Sequence, residues 1–368
     1  MQVTHLTDRQ RGTWSDFLGR EPAFALLQSW EWGDFKEKLG WKAFRIAVTL
    51  AGQIVAGAQL LIKPLLPAIA SLAYVPRGPV GRWTTDGEAA SLLLAELHRV
   101  AREHRAVLLK LEPPLPDGEG AAEALAGRGF RASPYNNQPR STIILDLGGE
   151  PDRILMQMRQ KTRQYIRSAV RQGVTVRAGE AADLPDVCEL IRMSGKRKRY
   201  PTRSSGYYQT EWHSLQGHIV VLMAYLHGRL LALRTICSFG RHAAELHAGS
   251  VEHGGKLHPN YLLVWEGIRW AKSRGCLTYD FWGVPEQVGQ DACRGMGPTA
   301  SERTDDLWGV YRFKRGFSRN VVSYVGSYDY VYRPMLYNLA FNRYLGSKRM
   351  DLIAPWLDRV RTARRAGP

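Results

Sequence analysis

The sequence predicts an α+β protein of two similar units with mostly antiparallel sheets. Three observations carry this. A strand–turn–strand pattern occurs twice, each copy leads through a further strand into a helix-period stretch, and each helix runs into a short apolar strand.

The hairpins are FRIAVTLAGQIVAGAQLLI (44–62) and IVVLMAYLHGRLLALRTIC (219–237), each with Gly in its turn. LAYVPRGPV (72–80) and AAELHAGSV (243–251) supply the next strands. In AASLLLAELHRVAREHR (89–105) and YLLVWEGIRWAKSRG (261–275) apolar residues recur at three- and four-residue spacing, as an amphipathic helix requires. The closing strands are AVLLKLEPP (106–114) and CLTYDFWGV (276–284). The stretch at 46–62 is the nearest approach to a membrane span, but Gly52-Gln53 interrupts it, Lys63-Pro64 follows it, and its β-branched residues favour a hairpin. A length of 368 residues suits two or three domains. We place the boundary tightly, with domains 1–148 and 149–368, because no Ser- or Gly-rich linker lies between them.

Charge separates the halves more sharply than hydropathy does. Residues 1–148 hold 17 Lys/Arg against 15 Asp/Glu and residues 149–368 hold 34 against 19, so the second half carries +15 of the net +17. Nucleic acid, an anionic membrane surface or a phosphate-bearing substrate would each answer such an excess. The segment EPDRILMQMRQKTRQYIRSAVRQGVTVR predicts one helix over 153–172, ended by Gly173. Leu155, Met158, Thr162, Tyr165, Ile166 and Val170 would share a face, and Arg159, Lys161, Arg163, Arg167 and Arg171 would cover the rest. GKRKRYPTR (195–203) and the C-terminal run DRVRTARRAG add further basic clusters.

Cys188, Cys237, Cys276 and Cys293 are scattered, with no CxxC pair, so neither a structural zinc site nor an extracytoplasmic disulfide framework is expected. The start, MQVTHLTDRQRGTW, has no apolar core and no small-residue cleavage site, so a cytoplasmic location without a secretory signal is expected. There is no GxSxG and no Cys/His pairing that would announce a covalent nucleophile.

Seven segments in order resemble the Fem family of non-ribosomal peptidyltransferases: QSWEWGDFKEKLGW (28–41), YVPRGPV (74–80), LLKLEPP (108–114), QPRSTIILDL (138–147), MRQKTRQYIRSAVRQGV (158–174), YDFWGV (279–284) and GVYRFKRGF (309–317). The resemblance covers nearly the whole chain. It implies two acetyltransferase-like (GNAT-related) domains and an aminoacyl-tRNA donor. The implied acceptor is the side-chain amine of a peptidoglycan precursor stem peptide, offered as UDP-MurNAc-pentapeptide or lipid II, with possible peripheral contact at the inner membrane face. Family members with a long helical hairpin in the second domain differ from this chain, where the stretch between Val176 and Ile219 leaves no room for it. An armless type is therefore expected. The Gln/Arg-x-x-Gly-x-Gly/Ala turn with which acetyltransferases hold acetyl-CoA is absent from PRGPVGRW and GSVEHGGKLHPN, so acetyl-CoA is not the expected donor.

The implied reaction is aminolysis of an ester, which runs downhill and needs no cofactor, ATP or metal. It does need alignment of the amine, removal of its proton and stabilisation of the oxyanion. By resemblance Lys314 is the central cation, with Phe313 beside it, in a segment that reads as a strand or the start of a helix. Glu112 matches an acidic residue near the acceptor amine. Lys36, Arg203 and Tyr207 match the precursor's phosphate site, Arg203 and Tyr207 keeping a four-residue spacing. Arg159, Lys161, Arg163, Arg167, Arg171 and Arg315 are expected to meet the tRNA backbone. Asp305 and Asp306 are weaker base candidates, Asp280 is expected to be structural as readily as catalytic, and Trp30, Trp32 and Trp41 are expected in the core. Two further readings stay open: an acyltransferase of this fold acting on another amine, and a non-enzymatic nucleic-acid-binding protein.

Overall fold

The computed structural model describes residues 1–66, 69–84, 87–118, 120–198, 200–296 and 307–340. Asp305, Asp306 and the C-terminal basic run lie outside these described residues. The chain divides into two compact units. One comprises Met1–Arg163, Cys237–Glu245 and Ile268–Arg333; the other comprises Gln164–Ile236, Leu246–Gly267 and a segment beginning at Pro334.

The first unit opens with β1 (Gln2–His5), α1 (Arg11–Leu18), α2 (Trp30–Lys38), β2 (Lys42–Leu50), β3 (Gln53–Leu66), β4 (Ala70–Val75) and β5 (Val80–Gly81). It continues with α3 (Gly87–Glu103), β6 (Ala106–Leu111), α4 (Ala121–Ala126) and β7 (Arg131–Ala132). The remaining elements, in order, are β8 (Ser141–Asp146), α5 (Pro151–Gln157), α6 (Gln160–Arg171), β9 (Thr175–Ala178), α7 (Leu184–Lys198), α8 (Ser205–Ser214), β10 (Ile219–Leu226), β11 (Arg229–Phe239) and β12 (His242–Ser250). They end with α9 (Pro259–Ser273), β13 (Thr278–Gly283), α10 (Glu286–Cys293), α11 (Trp308–Lys314), β14 (Val321–Ser323), β15 (Tyr328–Val331) and α12 (Pro334–Ala340).

Both expected hairpins form, and through the same turn. Ala51 and Gly52 join β2 to β3 at φ 48° and 79°, and His227 and Gly228 join β10 to β11 at φ 49° and 77°. Two positive φ values in a two-residue loop match the right-handed twist of the strands, which explains the Gly at each second position. Each hairpin leads to a strand, a helix and a parallel partner: β4 pairs parallel with β6 after α3, and β12 with β13 after α9. The pairings β1–β2, β2–β3, β3–β4, β3–β5, β6–β15, β7–β15, β8–β13, β8–β14 and β9–β10 are antiparallel, so the α+β class stands.

In the first unit one sheet has the order β1-β2-β3-β4-β6-β15-β7, with β5 pairing onto β3. The helix α3 lays Ala89, Leu93, Leu97, Val100 and Ala101 on this sheet against Ile46, Val48, Leu60 and Leu109. Strand β15 arrives from the far end of the chain. Its Asp329 lies opposite Lys110 of β6, and the two form an ion pair of 2.9 Å at 0% and 2% exposure. Removing either partner of such a buried pair costs roughly 3–5 kcal/mol, so this contact fixes the insertion. The same unit also holds the order β14-β8-β13-β12-β11, the last two strands contributing their Cys237–Glu245 stretch. In the second unit β10 pairs antiparallel with β9, over a core that includes Val187, Leu190, Ile191, Tyr208, Val221, Met223 and Leu233.

His98, on α3, packs against Tyr330 at 4.4 Å and bonds Tyr332 Oη through Nδ1 at 2.6 Å. Burial first, and Arg102 second, lower its pKa from 6.5 to about 4. Between those values the unfolded chain binds the extra proton and the folded one does not, so this histidine costs stability as pH falls through that window. We expect His98→Phe to flatten the stability slope between about pH 6.5 and 4, read by denaturant unfolding at several pH values. An unchanged slope would refute the assignment.

One element departs from expectation. The basic helix over 153–172 is broken into α5 and α6, with Met158 extended at φ −74° and ψ 155°. The Arg159 N–H leaves the helix to donate to Gly316 O at 2.9 Å, and Arg163 Nη1 caps Met158 O at 2.6 Å. Val170 also stays 57% exposed, while Ile154 and Ala169 are buried in its stead.

Candidate active site

The strand β13 builds the site by a fault in its pairing. Its register with β8 runs Thr278↔Asp146, Tyr279↔Leu145 and Asp280↔Ile144, then shifts so that Gly283 faces Thr142. Within this bulge Trp282 takes a left-handed backbone, φ 63°, which a bulky residue adopts only under constraint. The constraint is Asp280: its Oδ1 accepts the Trp282 N–H at 2.7 Å and the Thr142 hydroxyl. Burial pushes the Asp280 carboxyl up, while the Thr142 bond, Arg77, the Trp282 N–H and Lys314 pull it down.

The bulge offers two carbonyls to Lys314, the last residue of α11. Its Nζ donates to Gly283 O at 2.7 Å and Trp282 O at 3.2 Å, and the side chain is 7% exposed. The segment that read as strand or helix start is thus a helix, with Trp308, Tyr311 and Lys314 on its buried face. Phe313 is half-buried, its ring 5.2 Å from that of Phe317. A lysine held by carbonyls in a nearly dry site carries a charge whose field water screens poorly.

Arg315 follows Lys314 and, with Tyr311, Arg319 and Asn320, lines a cleft of about 330 Å³ walled by Val288, Ala292 and Val321. Burial, then the charges of Arg315 and Arg319, lower the pKa of Arg159, which does not itself line the cleft but feels both of its cations. Mutual repulsion of this kind is relieved by a bound anion. Lys161 and Arg167 are exposed and Arg163 is half-buried. Arg171 is exposed at the end of α6.

Glu112 follows β6. It is 4% exposed, and both carboxylate oxygens are engaged: Oε1 accepts from Asn137 N at 2.6 Å, Gln138 N at 3.2 Å and the Ser327 hydroxyl, and Oε2 accepts from the Tyr74 hydroxyl. Burial first and Glu112 second push the Tyr74 phenol well up. Lys36 sits half-buried on α2, its Nζ 4.6 Å from the Trp32 ring centre and 4.5 Å from that of Phe35. Of the tryptophans, Trp30 and Trp32 are core residues at 2% and 7% exposure, whereas Trp41 is only half-buried. In the second unit Arg203 is exposed just before α8, with its guanidinium 5.6 Å from the Tyr207 ring and its N–H on Tyr208 Oη at 3.0 Å.

Lys314, Phe313, Glu112, Lys36, Arg159 and Arg315 therefore fall in one unit, and Arg167, Arg171, Arg203 and Tyr207 in the other. Sequence reasoning missed Arg77, Thr142, Arg319 and Tyr324. Arg77 and Trp282 stood inside quoted motifs, but a left-handed backbone at a non-glycine residue leaves no mark in the letters.

A protein of two α+β units with a buried lysine at a strand bulge is what this geometry defines. The FemAB family matches residues 10–119, 126–234 and 229–343, and the chain belongs to that family. It is 23% identical over 420 residues to the lipid II:glycine glycyltransferase of Staphylococcus aureus (strain MRSA252), covering 92% of this chain and 95% of that protein. The crystal structure of FemX superposes with a TM-score of 0.80 at 22% identity, over 92% of this chain and 99% of the other. A tandem GNAT protein from the clavulanic acid biosynthesis pathway gives 0.53 at 15% identity, over 89% and 97%. Among the described residues no helix is long and apolar enough to cross a membrane.

Proposed function

We propose that this protein transfers an amino acid from aminoacyl-tRNA to the side-chain amine of a peptidoglycan precursor stem peptide. The observation that carries the reading is the Lys314 ammonium, buried and aimed by two carbonyls of the β13 bulge. The acceptor amine attacks the aminoacyl ester carbonyl, a C–N bond forms, the ester C–O bond breaks, and the ribose oxygen leaves with a proton. Lys314 would stabilise the oxyanion between those events, and Glu112 would supply a fixed negative charge beside the amine. Lys36 in the one unit, and Arg203 with Tyr207 in the other, are each proposed as phosphate contacts for the precursor. The likeness to a lipid II:glycine glycyltransferase supports this acceptor class. The exposed Leu65, near the end of β3, and Ile69, just before β4, offer apolar contact to a membrane carrying a lipid-linked one.

The test is a transfer assay with radiolabelled aminoacyl-tRNAs and either UDP-MurNAc-pentapeptide or lipid II. Label on one acceptor is expected; label on neither, with tRNA bound, would defeat the reading. The tRNA end is proposed to meet the cleft lined by Arg315 and Arg319, within whose field Arg159 also lies. Changing all three to Gln is expected to lower the slope of log Kd against log salt by about 0.7 per lost phosphate contact. A slope equal to wild type would place the tRNA elsewhere.

A further inference from the structure

Arg77 has no role in the reaction as described so far, yet it lies between the two groups assigned to it. Its side chain is buried, 5% exposed, and its backbone is left-handed at φ 47°. On one side Arg77 Nη2 donates to Pro139 O at 2.9 Å, next to Gln138, whose N–H is held by Glu112. On the other side its guanidinium lies 5.4 Å from the Trp282 ring centre and 4.5 Å from that of Tyr324. Trp282 is the other non-glycine residue in a left-handed conformation here, and its carbonyl takes the Lys314 ammonium. Glu112, Arg77, Gln138, Arg140, Tyr324 and Ser327 line one cavity of about 10 Å³, near the size of a single water.

Two left-handed non-glycine backbones whose side chains meet persist only where their surroundings over-determine them. A planar guanidinium bonded at one nitrogen and held within cation–π range of two rings is suited to that task, and an aliphatic side chain of equal length is not. We infer that Arg77 is a positioning residue: it locks the Trp282–Gly283 carbonyl pair, and through it the Lys314 ammonium, to the loop that Glu112 holds. The inference rests on the transferase reading above.

Arg77→Met keeps the length and removes the charge. Its single-turnover transfer rate is expected to fall on the order of 10–100-fold while KM for both substrates stays within about threefold, the pattern of a lost transition-state interaction. Ionised Asp280 accepts the Trp282 N–H that shapes the bulge, so its protonation is expected to set the acid limb of the rate profile, and removing a cation that favours the ionised form moves that limb to higher pH. Arg77→Lys keeps the charge and is expected to hold the acid limb in place while losing part of the rate. In a Lys314→Gln background, Arg77→Met should change the residual rate by less than about twofold, since the two act as a unit. Equal losses in both backgrounds, or a loss confined to KM, would overturn the inference. If wild type transfers nothing, the functional reading fails by itself. The same four proteins then decide this inference through Tm: non-additive shifts support the coupling and additive shifts defeat it.

Discussion

Lys314→Ala is expected to reduce transfer by about 10²–10³-fold or more, the loss that follows removal of one preorganised donor at an oxyanion. The ammonium is 7% exposed and directed by Trp282 O and Gly283 O, so it need not reorganise as charge develops on the ester. Removing it also leaves two half-buried carbonyls without this donor, at roughly 0.5–1.5 kcal/mol each, so the variant should melt earlier. The two effects are separable. Rates are compared well below the melting transition, with near-ultraviolet circular dichroism confirming the fold, and tRNA affinity is measured on the same samples. That affinity should shift less than it does on changing Arg159, Arg315 and Arg319, because Lys314 faces the bulge, whereas Arg315 and Arg319 line the cleft and Arg159 feels both. Lys314→Arg keeps the charge, but a planar fork does not fit a site shaped for a point donor, and only partial activity is expected. A Lys314→Ala protein that transfers at the wild-type rate would remove the central cation from the mechanism.

What the sequence disclosed was local and periodic. The hairpins were legible because Gly52 and Gly228 mark turns between runs of β-formers, and α3 because its apolar residues recur at helical spacing. What stayed hidden was set by residues far apart in the chain. The break at Met158 depends on Gly316 O taking the Arg159 N–H, a contact across 157 positions that no helix propensity reflects. Insertion of β15 beside β6 depends on Asp329 meeting Lys110, and the four residues Tyr328–Val331 are too short to announce such a strand. The motif YDFWGV pointed to the right place, but the reason it matters is a register shift at Trp282. Arg77, Arg319 and Tyr324 likewise acquire meaning only from what the fold sets beside them.

Glu112 shows the same gap between letter and role, and it joins a large expected loss of stability to a loss of rate. In sequence it is a carboxylate before two prolines. In the fold it gathers four donors from three separate stretches: the Tyr74 hydroxyl, the N–H groups of Asn137 and Gln138, and the Ser327 hydroxyl. Glu112→Ala strips all four of their acceptor inside a site that water scarcely reaches, and a loss of roughly 3–5 kcal/mol is expected, since each buried donor left unsatisfied costs about 1–3 kcal/mol before the loop relaxes. Glu112→Gln is nearly isosteric but turns one acceptor oxygen into a donor facing donors, for roughly 1–3 kcal/mol. Because the 136–139 loop also carries the Pro139 carbonyl that Arg77 bonds, either change should disturb the path to Lys314. Transfer by Glu112→Gln is therefore expected to fall by about 10²-fold at temperatures where the protein is fully folded, the scale of a positioned acid–base or charge-stabilising group. Denaturant unfolding and single-turnover rates on the same preparation test both halves. Wild-type stability would show that the four bonds are energetically idle, and a wild-type rate in a destabilised protein would confine Glu112 to scaffolding the loop.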